Sequence, residues 1–523
     1  MKSLEHNGIY LPHYNVVGLS VKYRGKLIPL TPLAEQLCIQ FVKKFDLPYM
    51  QDETFVHNFL NDLISELAKT DIGKKMQWDE IDLADWDWTH IQEYIADLKA
   101  KTEAMSKEDK KTARELSKKL REDLKEKYGY AVMDGNKVPL MNWASEPACI
   151  FMSKGKNPNR GKWKLPVTKS DITLNLSSGS PDQSWGDIVW KPDEMWIASW
   201  SSPLDGKMKY VWFSPSSSIR QDKERKKFSL ASQLGNELNK LERYIEKELG
   251  SSDLERRKLS TAVYLIKSLA LRVGDEKLAG EHGTVGCTTL KKENITIEDS
   301  RIHLSFIGKD YVKWERDLEV SEKVKRNLVE FVKKAREDFI FKGLNSNKIA
   351  EFLREIIPGL SAKVFRTYIA GTIWDEYANK NLKMISGETS IPVRKYLFKL
   401  TNLEVAKKLN HKKALPKNYE ERLAKKKLQF EMGKTKLDLI EEGDYKKVQA
   451  QERKVEKLAC DFELLRDTTE WNLGTSLTSY IDPNKAMAFV EKADLEVGDV
   501  YSKSLKEKYS WAIKEKGKEE SEN

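Results

Sequence analysis

One tyrosine near the C-terminus, Tyr480, has a setting that suggests chemistry. It follows a long charged segment and lies within residues 473–483, where glycine, serine, threonine and proline favour turns. A phenol has a pKa of about 10, so a tyrosine is mostly protonated at neutral pH. It becomes a nucleophile only where cations surround the group that it attacks, such as a phosphate. If Tyr480 is catalytic, other parts of the chain must supply those cations.

Four other segments carry basic side chains in settings that suit phosphate binding. Their key residues are Arg272, Lys309, Arg366 and His411. Each has an ordinary explanation alone, because an arginine in an apolar helix usually forms a structural ion pair and a lone histidine usually caps or packs. Guanidinium, ammonium and imidazole groups all suit phosphate oxygens, so these residues are candidates for the cations that Tyr480 would need.

The composition limits the number of domains and the kind of partner that this protein can have. The chain has 523 residues, 40% of them hydrophobic, and a formal net charge of +10. This length is enough for about three or four domains. The first hundred residues are net acidic, so the basic surface lies beyond them. Such a surface suits nucleic acid, although many basic proteins bind no anion.

Cysteine usage and hydropathy indicate the compartment. The four cysteines are far apart in the sequence and form no disulfide framework. No apolar stretch approaches the roughly 20 residues that a membrane span needs, and the N-terminus has no signal-peptide pattern. We therefore expect a soluble intracellular protein with no membrane partner.

Sequence patterns predict the elements that carry the candidate residues. Ser106 begins a capping-box pattern that predicts a connector helix over 104–128. Residues 130–225 are β-like, and residues 226–413 are mostly helical with a β hairpin whose tip carries Lys309. Apolar residues recur every seven positions in both halves of 414–470, which predicts an antiparallel helical hairpin. The acidic, tryptophan-rich run 78–88 could mimic DNA or bind a partner, but we expect an acidic helix with buried tryptophans.

The same segments, taken in order, resemble the eukaryotic-type nuclear DNA topoisomerase I family of type IB enzymes. The likeness runs from residue 4 to residue 513. The motifs that carry it are Thr284-Val285-Gly286-Cys287, residues 362–368, residues 473–476 with 480–483, and residues 509–513. Five ordered motifs, counting the two halves around the tyrosine separately, make chance agreement very improbable.

The resemblance implies an α+β multidomain clamp that closes around double-stranded DNA. A mixed α/β N-terminal cap would span 1–205, with a subdomain over 19–103 and the connector helix over 104–128. A mainly helical catalytic core with a small β hairpin region would follow over 206–413. The antiparallel coiled-coil linker would occupy 414–470. A small helical C-terminal domain over 471–523 would carry the nucleophile.

The resemblance also implies the roles of the five candidate residues. Tyr480 would attack a backbone phosphate and expel the 5′ oxygen, leaving a 3′-phosphotyrosyl bond. Negative charge would build on the non-bridging oxygens, where the two arginines and a protonated or donating His411 would stabilise it. Lys309 would protonate the departing 5′ oxygen. Resealing reverses this exchange of similar esters, so no ATP is needed, and no metal or other cofactor is expected.

Further DNA contacts follow from the resemblance, with three departures. The contacting residues would be Lys154, Lys277, Thr284, Lys363 and Ser479. Lys154 replaces an arginine that is usual in the family, and Asp275 replaces an asparagine, which brings an anion near the phosphate path. Ser479 stands where the family commonly has asparagine. This change weakens the expectation, which the family implies, that a camptothecin-like inhibitor binds the cleaved complex.

The source and two alternative functions remain open on the sequence. The sequence contains no long charged N-terminal extension and no obvious basic localisation cluster, so we expect a monomer acting on chromosomal DNA in the cytoplasm of a prokaryote, such as an archaeon, rather than in a nucleus. A tyrosine recombinase uses the same chemistry, but the long linker and large cap argue against it. A clamping protein that has lost the reaction is disfavoured because all five residues are present.

Overall fold

The computed structural model describes residues 1–78, 82–153, 157–179, 181–275, 284–335, 339–440 and 444–513. The chain divides into two compact units, of which the first is Met1–Arg220 and the second begins at Gln221. Both units mix helices with small sheets of two to four strands, so the expected α+β class is confirmed. Within the described ranges, no helix is long and apolar enough to cross a membrane.

The first unit contains twelve short strands and four helices in the part of the chain described. The strands are β1 (Leu4–Glu5), β2 (Ser20–Tyr23), β3 (Lys26–Pro29), β4 (Trp86–Asp87), β5 (Tyr130–Met133), β6 (Asn136–Pro139), β7 (Cys149–Ile150), β8 (Trp163–Lys164), β9 (Thr173–Asn175), β10 (Ile188–Val189), β11 (Trp196–Ser201) and β12 (Met208–Trp212). The helices are α1 (Pro32–Val42), α2 (Glu53–Leu67), α3 (Thr89–Ala104) and α4 (Lys107–Tyr128).

Two apolar cores hold the first unit together. One lies between the sheet β3-β2-β4 and helices α1 and α2, where the rings of Phe41 and Phe59 stack with centroids 3.8 Å apart. The other lies on the sheet β10-β9-β11-β12 and includes the fully buried Ile197 and Val211. Helix α4 corresponds to the predicted connector helix. Ser106 forms a complete capping box with Asp109 at its start.

The acidic, tryptophan-rich run differs from the expectation in its backbone. Trp86 and Trp88 are buried, as predicted. The predicted helix is wrong, because Leu83–Asp85 forms one 3-10 turn and Trp86 pairs with Tyr23 of β2. Strand pairing gives the backbone groups of these residues hydrogen-bond partners while the rings fill the core. These two effects outweigh the charge pattern, which predicted a helix. Residues 79–81 lie outside the described residues.

The second unit is mainly helical. Its strands are β13 (Ile295–Glu298), β14 (Arg301–Ile307) and β15 (Lys313–Glu319). Its helices are α5 (Ser218–Asn236, which begins just before the boundary), α6 (Leu238–Glu248), α7 (Leu254–Leu269), α8 (Glu322–Ala335), α9 (Ser346–Arg354), α10 (Ala362–Leu382), α11 (Ile391–Lys408), α12 (Tyr419–Asp438), α13 (Tyr445–Thr468), α14 (Leu473–Ser479), α15 (Pro483–Lys492), α16 (Val497–Val500) and α17 (Lys503–Lys508).

Helix α10 joins the two cores of the second unit. Its first turns contribute Phe365 to a core built with α7, α8, α9 and the three-stranded sheet β13-β14-β15. Its later turns contribute Trp374 to a core that also contains Phe398 of α11 and Phe489 of α15. Arg366, which follows Phe365 directly, therefore lies where the two cores meet.

Helices α12 and α13 form the predicted antiparallel hairpin. The rings of Phe430 and Phe462, both from the heptad positions, stack with centroids 6.4 Å apart. Lys426 and Asp461 add an ion pair of 3.0 Å across the pair. Residues 441–443 and 514–523 lie outside the described residues.

Candidate active site

Tyr480 lies in a turn, as the sequence suggested, but this turn directly follows a short helix, α14, that the sequence did not suggest. Asn472 caps the helix by accepting a hydrogen bond from the backbone N–H of Thr475. The N–H of Tyr480 then donates to the carbonyl of Ser476 at 2.9 Å. Asn402 of α11 donates to the carbonyl of Leu473 at 3.0 Å. Capping and packing on α11 therefore make a helix from residues of low helical propensity.

Arg272 is positioned by a sharp change of direction after α7. The helix ends at Ala270, which has a positive φ of 54°, an unusual conformation for a residue with a side chain. The carbonyl of Arg272 then accepts a hydrogen bond of 2.9 Å from the N–H of Cys287. Gly274 and Gly286 approach so closely that a Cβ on Gly286 would lie 2.5 Å from the Cα of Gly274. Two glycines are required for this approach, which explains the Gly286 motif.

Arg366 ties three segments together from inside the protein. Only 4% of its surface is exposed. Its guanidinium donates to the carbonyl of Ala270 through Nη1 and to the carbonyl of Leu409 at 2.9 Å through Nη2. Its Nε is buried without a hydrogen-bond partner among the groups described. The side chain thus joins the segment before Arg272 to the one before His411. Its Nε–H remains available to donate a hydrogen bond.

His411 follows the end of α11 and faces the nucleophile. Its Nε2 lies 3.1 Å from Nη2 of Arg366, and its Nδ1 lies 2.8 Å from Oγ of Ser476. Burial, followed by the positive charges of Arg366 and Arg272, lowers the pKa of His411 to about 3. The imidazole of the free protein is therefore neutral at physiological pH. A protonated His411, one of the two forms considered from the sequence, requires an anion in the site.

The phenol of Tyr480 lies among these cations and is itself 4% exposed. Nη1 of Arg272 donates to its hydroxyl at 3.3 Å. The guanidinium carbon of Arg366 lies 5.0 Å from the centre of its ring, and the ring of His411 lies 5.3 Å from it. Burial alone would raise the pKa of Tyr480, but the charges and hydrogen bonds of Arg366 and Arg272 outweigh it and lower the pKa.

Lys309 lies at the tip of the predicted hairpin. Strands β14 and β15 pair from Arg301 opposite Glu319 to Ile307 opposite Lys313. Lys309 is exposed in the turn between them. It lines a cavity of about 90 Å³ together with Arg272, Arg366 and His411. The four basic residues proposed from the sequence therefore line one cavity. Three of them, Arg272, Arg366 and His411, also lie against Tyr480.

The structure says less about the other predicted DNA contacts. Lys154 and Lys277 lie outside the described residues. Lys363 is exposed in the first turn of α10, where the helix end favours anions, and Thr284 is half-buried before Gly286. Ser479 is half-buried as the last residue of α14.

Asp275, the acidic departure near the proposed phosphate path, has a structural partner. Its Oδ1 accepts a hydrogen bond of 2.7 Å from the N–H of Ser346, the first residue of α9. A carboxylate at the start of a helix is favoured by the helix dipole. The charge of Asp275 therefore interacts with the start of α9.

Several residues that contact the nucleophile helix were not recognised from the sequence. Ser476 contacts His411, and its spacing of four residues from Tyr480 was a usable signal once α14 is known to be a helix. The carbonyls of Thr478 and Ser479 accept hydrogen bonds from residues that are far away in the sequence, namely Lys227, Lys508 and Tyr509. No local pattern links these lysines to α14.

No metal site is evident in the described part of the chain. There, no group of three or more histidine, cysteine, aspartate and glutamate side chains is placed to hold an ion. Around Tyr480 the groups are cationic or neutral and suit a phosphate instead.

Comparisons with known proteins match nearly the whole chain. Models described as the DNA binding fragment and the catalytic core of eukaryotic DNA topoisomerase I match residues 1–213 and 216–443, and a C-terminal topoisomerase domain matches residues 452–520. DNA topoisomerase 1 of Homo sapiens is 30% identical over 98% of this chain and 70% of its own length. DNA topoisomerase 1 beta of Arabidopsis thaliana is 30% identical over 98% of this chain, which spans 58% of that relative. The mitochondrial DNA topoisomerase I of Rattus norvegicus is 27% identical over 99% of this chain and 92% of its own length.

Proposed function

Because this chain belongs to the eukaryotic DNA topoisomerase I family, we propose that it relaxes supercoiled duplex DNA as a type IB, ATP-independent topoisomerase. The observation that carries the proposal is the position of the Tyr480 hydroxyl, 3.3 Å from Arg272 and within a cluster that lowers its pKa. A buried phenol held next to two guanidinium groups is prepared to attack an anion.

Cleavage begins when the oxygen of Tyr480 attacks a backbone phosphorus. The phenol gives its proton to solvent, a bond forms between the tyrosine oxygen and phosphorus, and the bond to the 5′ oxygen breaks. Arg272 and Arg366 hold the non-bridging oxygens, where negative charge grows. Lys309 donates a proton to the 5′ oxygen, which is a poor leaving group without one. The products are a 3′-phosphotyrosyl bond and a free 5′-hydroxyl.

Resealing is the reverse of the same step. The 5′-hydroxyl attacks the phosphotyrosyl ester, Lys309 takes back the proton, and Tyr480 leaves as a stabilised phenolate. The two esters have similar energies, so superhelical strain alone drives net relaxation. The basic second unit would hold duplex DNA mainly through phosphates, which makes binding sensitive to salt and nearly independent of sequence.

We propose the domain roles on the same basis. Residues 1–205 act as a DNA-clamping cap, 206–413 as the catalytic core, 414–470 as the linker and 471–523 as the nucleophile domain. The protein would work as a monomer on chromosomal DNA. Size-exclusion chromatography with light scattering tests the monomer, because a stable dimer would elute at twice the mass of 60.4 kDa.

The central experiment is relaxation of a negatively supercoiled plasmid by the purified protein without ATP or magnesium. We expect relaxed product from the wild type and none from Tyr480→Phe, which should still bind duplex DNA. A suicide duplex labelled on the scissile strand should give a covalent adduct at its 3′ end that maps to Tyr480. If product appears only with two specific DNA sites, the protein is a recombinase. If Tyr480→Phe relaxes plasmid, the mechanism is wrong.

We further propose that a camptothecin-like inhibitor binds the cleaved complex weakly. Ser479 is half-buried beside Tyr480 and is shorter than the asparagine common in the family. The test measures how much covalent adduct the drug traps in the wild type and in Ser479→Asn, each relative to its own level without drug. Greater trapping in Ser479→Asn supports the proposal, and equal trapping contradicts it.

A further inference from the structure

Ser476 joins the nucleophile helix to the histidine of the site. It is fully buried on α14, four residues before Tyr480. Its Oγ lies 2.8 Å from Nδ1 of His411. Its carbonyl accepts hydrogen bonds from the N–H groups of Tyr480 and Ile481 at 2.9 and 3.0 Å. One residue therefore contacts the imidazole with its side chain and holds the nucleophile with its backbone.

The neighbours of His411 determine which ring nitrogen carries the proton. Nη2 of Arg366 has two hydrogens, and it contacts the carbonyl of Leu409 at 2.9 Å and Nε2 of His411 at 3.1 Å. A guanidinium can only donate, so Nε2 must accept. In a neutral imidazole the single proton is then on Nδ1, which donates it to Oγ of Ser476.

This arrangement has a consequence for the proposed cleavage step. His411 can stabilise a phosphate oxygen only by donating an N–H to it. Nδ1 is already bound to the buried Ser476, so the donor must be Nε2, which has no proton in the free protein. When the phosphate enters, Nη2 of Arg366 is drawn to it and Nε2 is released. Nε2 can then take one proton from solvent, because the phosphate anion offsets the two arginine charges that oppose protonation.

We propose that Ser476 is a positioning residue that keeps one proton of His411 on Nδ1, so that the proton gained on DNA binding is placed on Nε2 and faces the scissile phosphate. This inference rests on the proposed function. The balance of the step is one new N–H bond at Nε2, formed with a proton from solvent, and no proton leaves Nδ1. Without the Ser476 hydroxyl, the buried Nδ1–H has no acceptor and the ring loses both its orientation and its preferred tautomer.

The first test is spectroscopic and needs no catalytic activity. The protein is labelled with ¹⁵N-histidine, and the His411 signals are assigned by their loss in His411→Gln. We expect a neutral ring protonated on Nδ1 in the free wild type, and a mixture of tautomers in Ser476→Ala. With duplex DNA bound to Tyr480→Phe, both nitrogens should be protonated. A free ring protonated on Nε2, or identical spectra for the wild type and Ser476→Ala, would overturn the inference.

The second test is a double-mutant cycle on single-turnover cleavage of a suicide duplex. Ser476→Ala should slow cleavage roughly tenfold, the usual scale for a lost buried hydrogen bond, with little change in duplex affinity. In a His411→Gln background the same change should have little further effect. An equal slowing in both backgrounds would mean that Ser476 acts through helix packing alone, and the inference would be wrong.

Two further variants separate folding from positioning. Ser260→Ala removes another fully buried serine hydroxyl, which donates to the carbonyl of Arg257 within α7, and it should leave cleavage unchanged. Ser476→Cys keeps a side chain of similar size that still accepts weakly, and it should cleave at an intermediate rate if Ser476→Ala is unstable. If the wild type forms no adduct, the proposed function fails. If the wild type cleaves but Ser476→Ala is equally fast, only this inference fails.

Discussion

The guanidinium of Arg272 donates a hydrogen bond to the hydroxyl of Tyr480 across 3.3 Å. These residues are 208 positions apart in the sequence, and they belong to different parts of the second unit. The contact places the permanent positive charge of Arg272 beside the Tyr480 oxygen, the atom that would attack DNA. It also contributes to the lowered pKa of that tyrosine.

Replacing Arg272 should impair cleavage and change its pH dependence. We expect Arg272→Ala to slow covalent adduct formation by about 10²–10³-fold, because one donor to the growing negative charge is lost. The rate should also require a higher pH, since removing a neighbouring cation raises the pKa of Tyr480. Single-turnover cleavage measured from pH 6 to pH 10 checks both effects. The matched control is Arg243→Ala, whose exposed guanidinium donates to the carbonyl of Asn239 in its own helix.

Lys309 should be needed for departure of the 5′ oxygen and much less for binding. We expect Lys309→Ala to slow cleavage by about 10²–10⁴-fold, the usual contribution of a general acid. A duplex with sulfur at the 5′-bridging position should restore most of the rate, because a thiolate leaves without a proton. The control is Lys313→Ala, an exposed lysine of the same hairpin that pairs with Glu315 at 3.0 Å. Failure of the sulfur substrate to rescue Lys309→Ala would remove this lysine from the acid role.

The half-buried His6 should make the stability of the first unit depend on pH. His6 contacts the carbonyl of Asn175 through Nε2 at 3.1 Å, and burial lowers its pKa to about 4, from an ordinary value of 6.5. The unfolded chain therefore binds more protons than the folded one between pH 4 and pH 6.5. Stability contributed by neutral His6 is complete above pH 6.5 and is lost as the pH falls towards 4, by up to about 3 kcal/mol.

Urea unfolding at several pH values, followed by tryptophan fluorescence, tests this dependence. The wild type should lose stability between pH 6.5 and pH 4.5, and His6→Gln should lose much less across the same interval. His13→Gln changes an exposed histidine and should behave like the wild type. Equal acid sensitivity of His6→Gln and the wild type would show that other groups control this part of the curve.

The sequence was sufficient wherever structure depends on local or periodic patterns. Heptad spacing predicted the pairing of α12 with α13, where Phe430 stacks on Phe462. The pattern after Ser106 predicted the start of α4 through its capping box. The α+β class and the shared cavity of Arg272, Lys309, Arg366 and His411 were also anticipated, the latter through family motifs.

What the sequence did not predict depends on contacts between distant residues. Helix α14 has seven residues, including glycine, serine and threonine, and such a segment is not stable as a helix by itself. It forms because groups from α11, α5 and the C-terminal segment satisfy its carbonyls. The bond between His411 and Ser476 spans 65 positions, and no periodicity relates the two residues. The strand at Trp86 was missed for the same reason, since its partner Tyr23 is remote.

The carbonyls at the end of α14 suggest a final prediction about the position of Tyr480. Nζ of Lys508 and the hydroxyl of Tyr509 each donate to the carbonyl of Thr478 at 2.6 Å. Nζ of Lys227 donates to the carbonyl of Ser479 at 2.9 Å, and Glu224 contacts both lysines. Cations at a helix C-terminus stabilise carbonyls that have no partner within the helix. This cluster therefore restrains the two residues before the nucleophile.

Lys508→Met should leave the apolar stem of the side chain in place and remove its contact with Thr478. We expect duplex affinity to change little, while cleavage and resealing both slow by roughly tenfold, because a small displacement of Tyr480 misaligns the attack in both directions. Single-turnover cleavage and religation rates on a suicide duplex, together with a filter-binding titration, measure the three quantities. Lys506→Met alters an exposed lysine in the same helix and serves as the control. A Lys508→Met variant that loses duplex affinity but cleaves bound DNA at the normal rate would assign Lys508 to DNA binding, because restraint of the nucleophile predicts the opposite pattern.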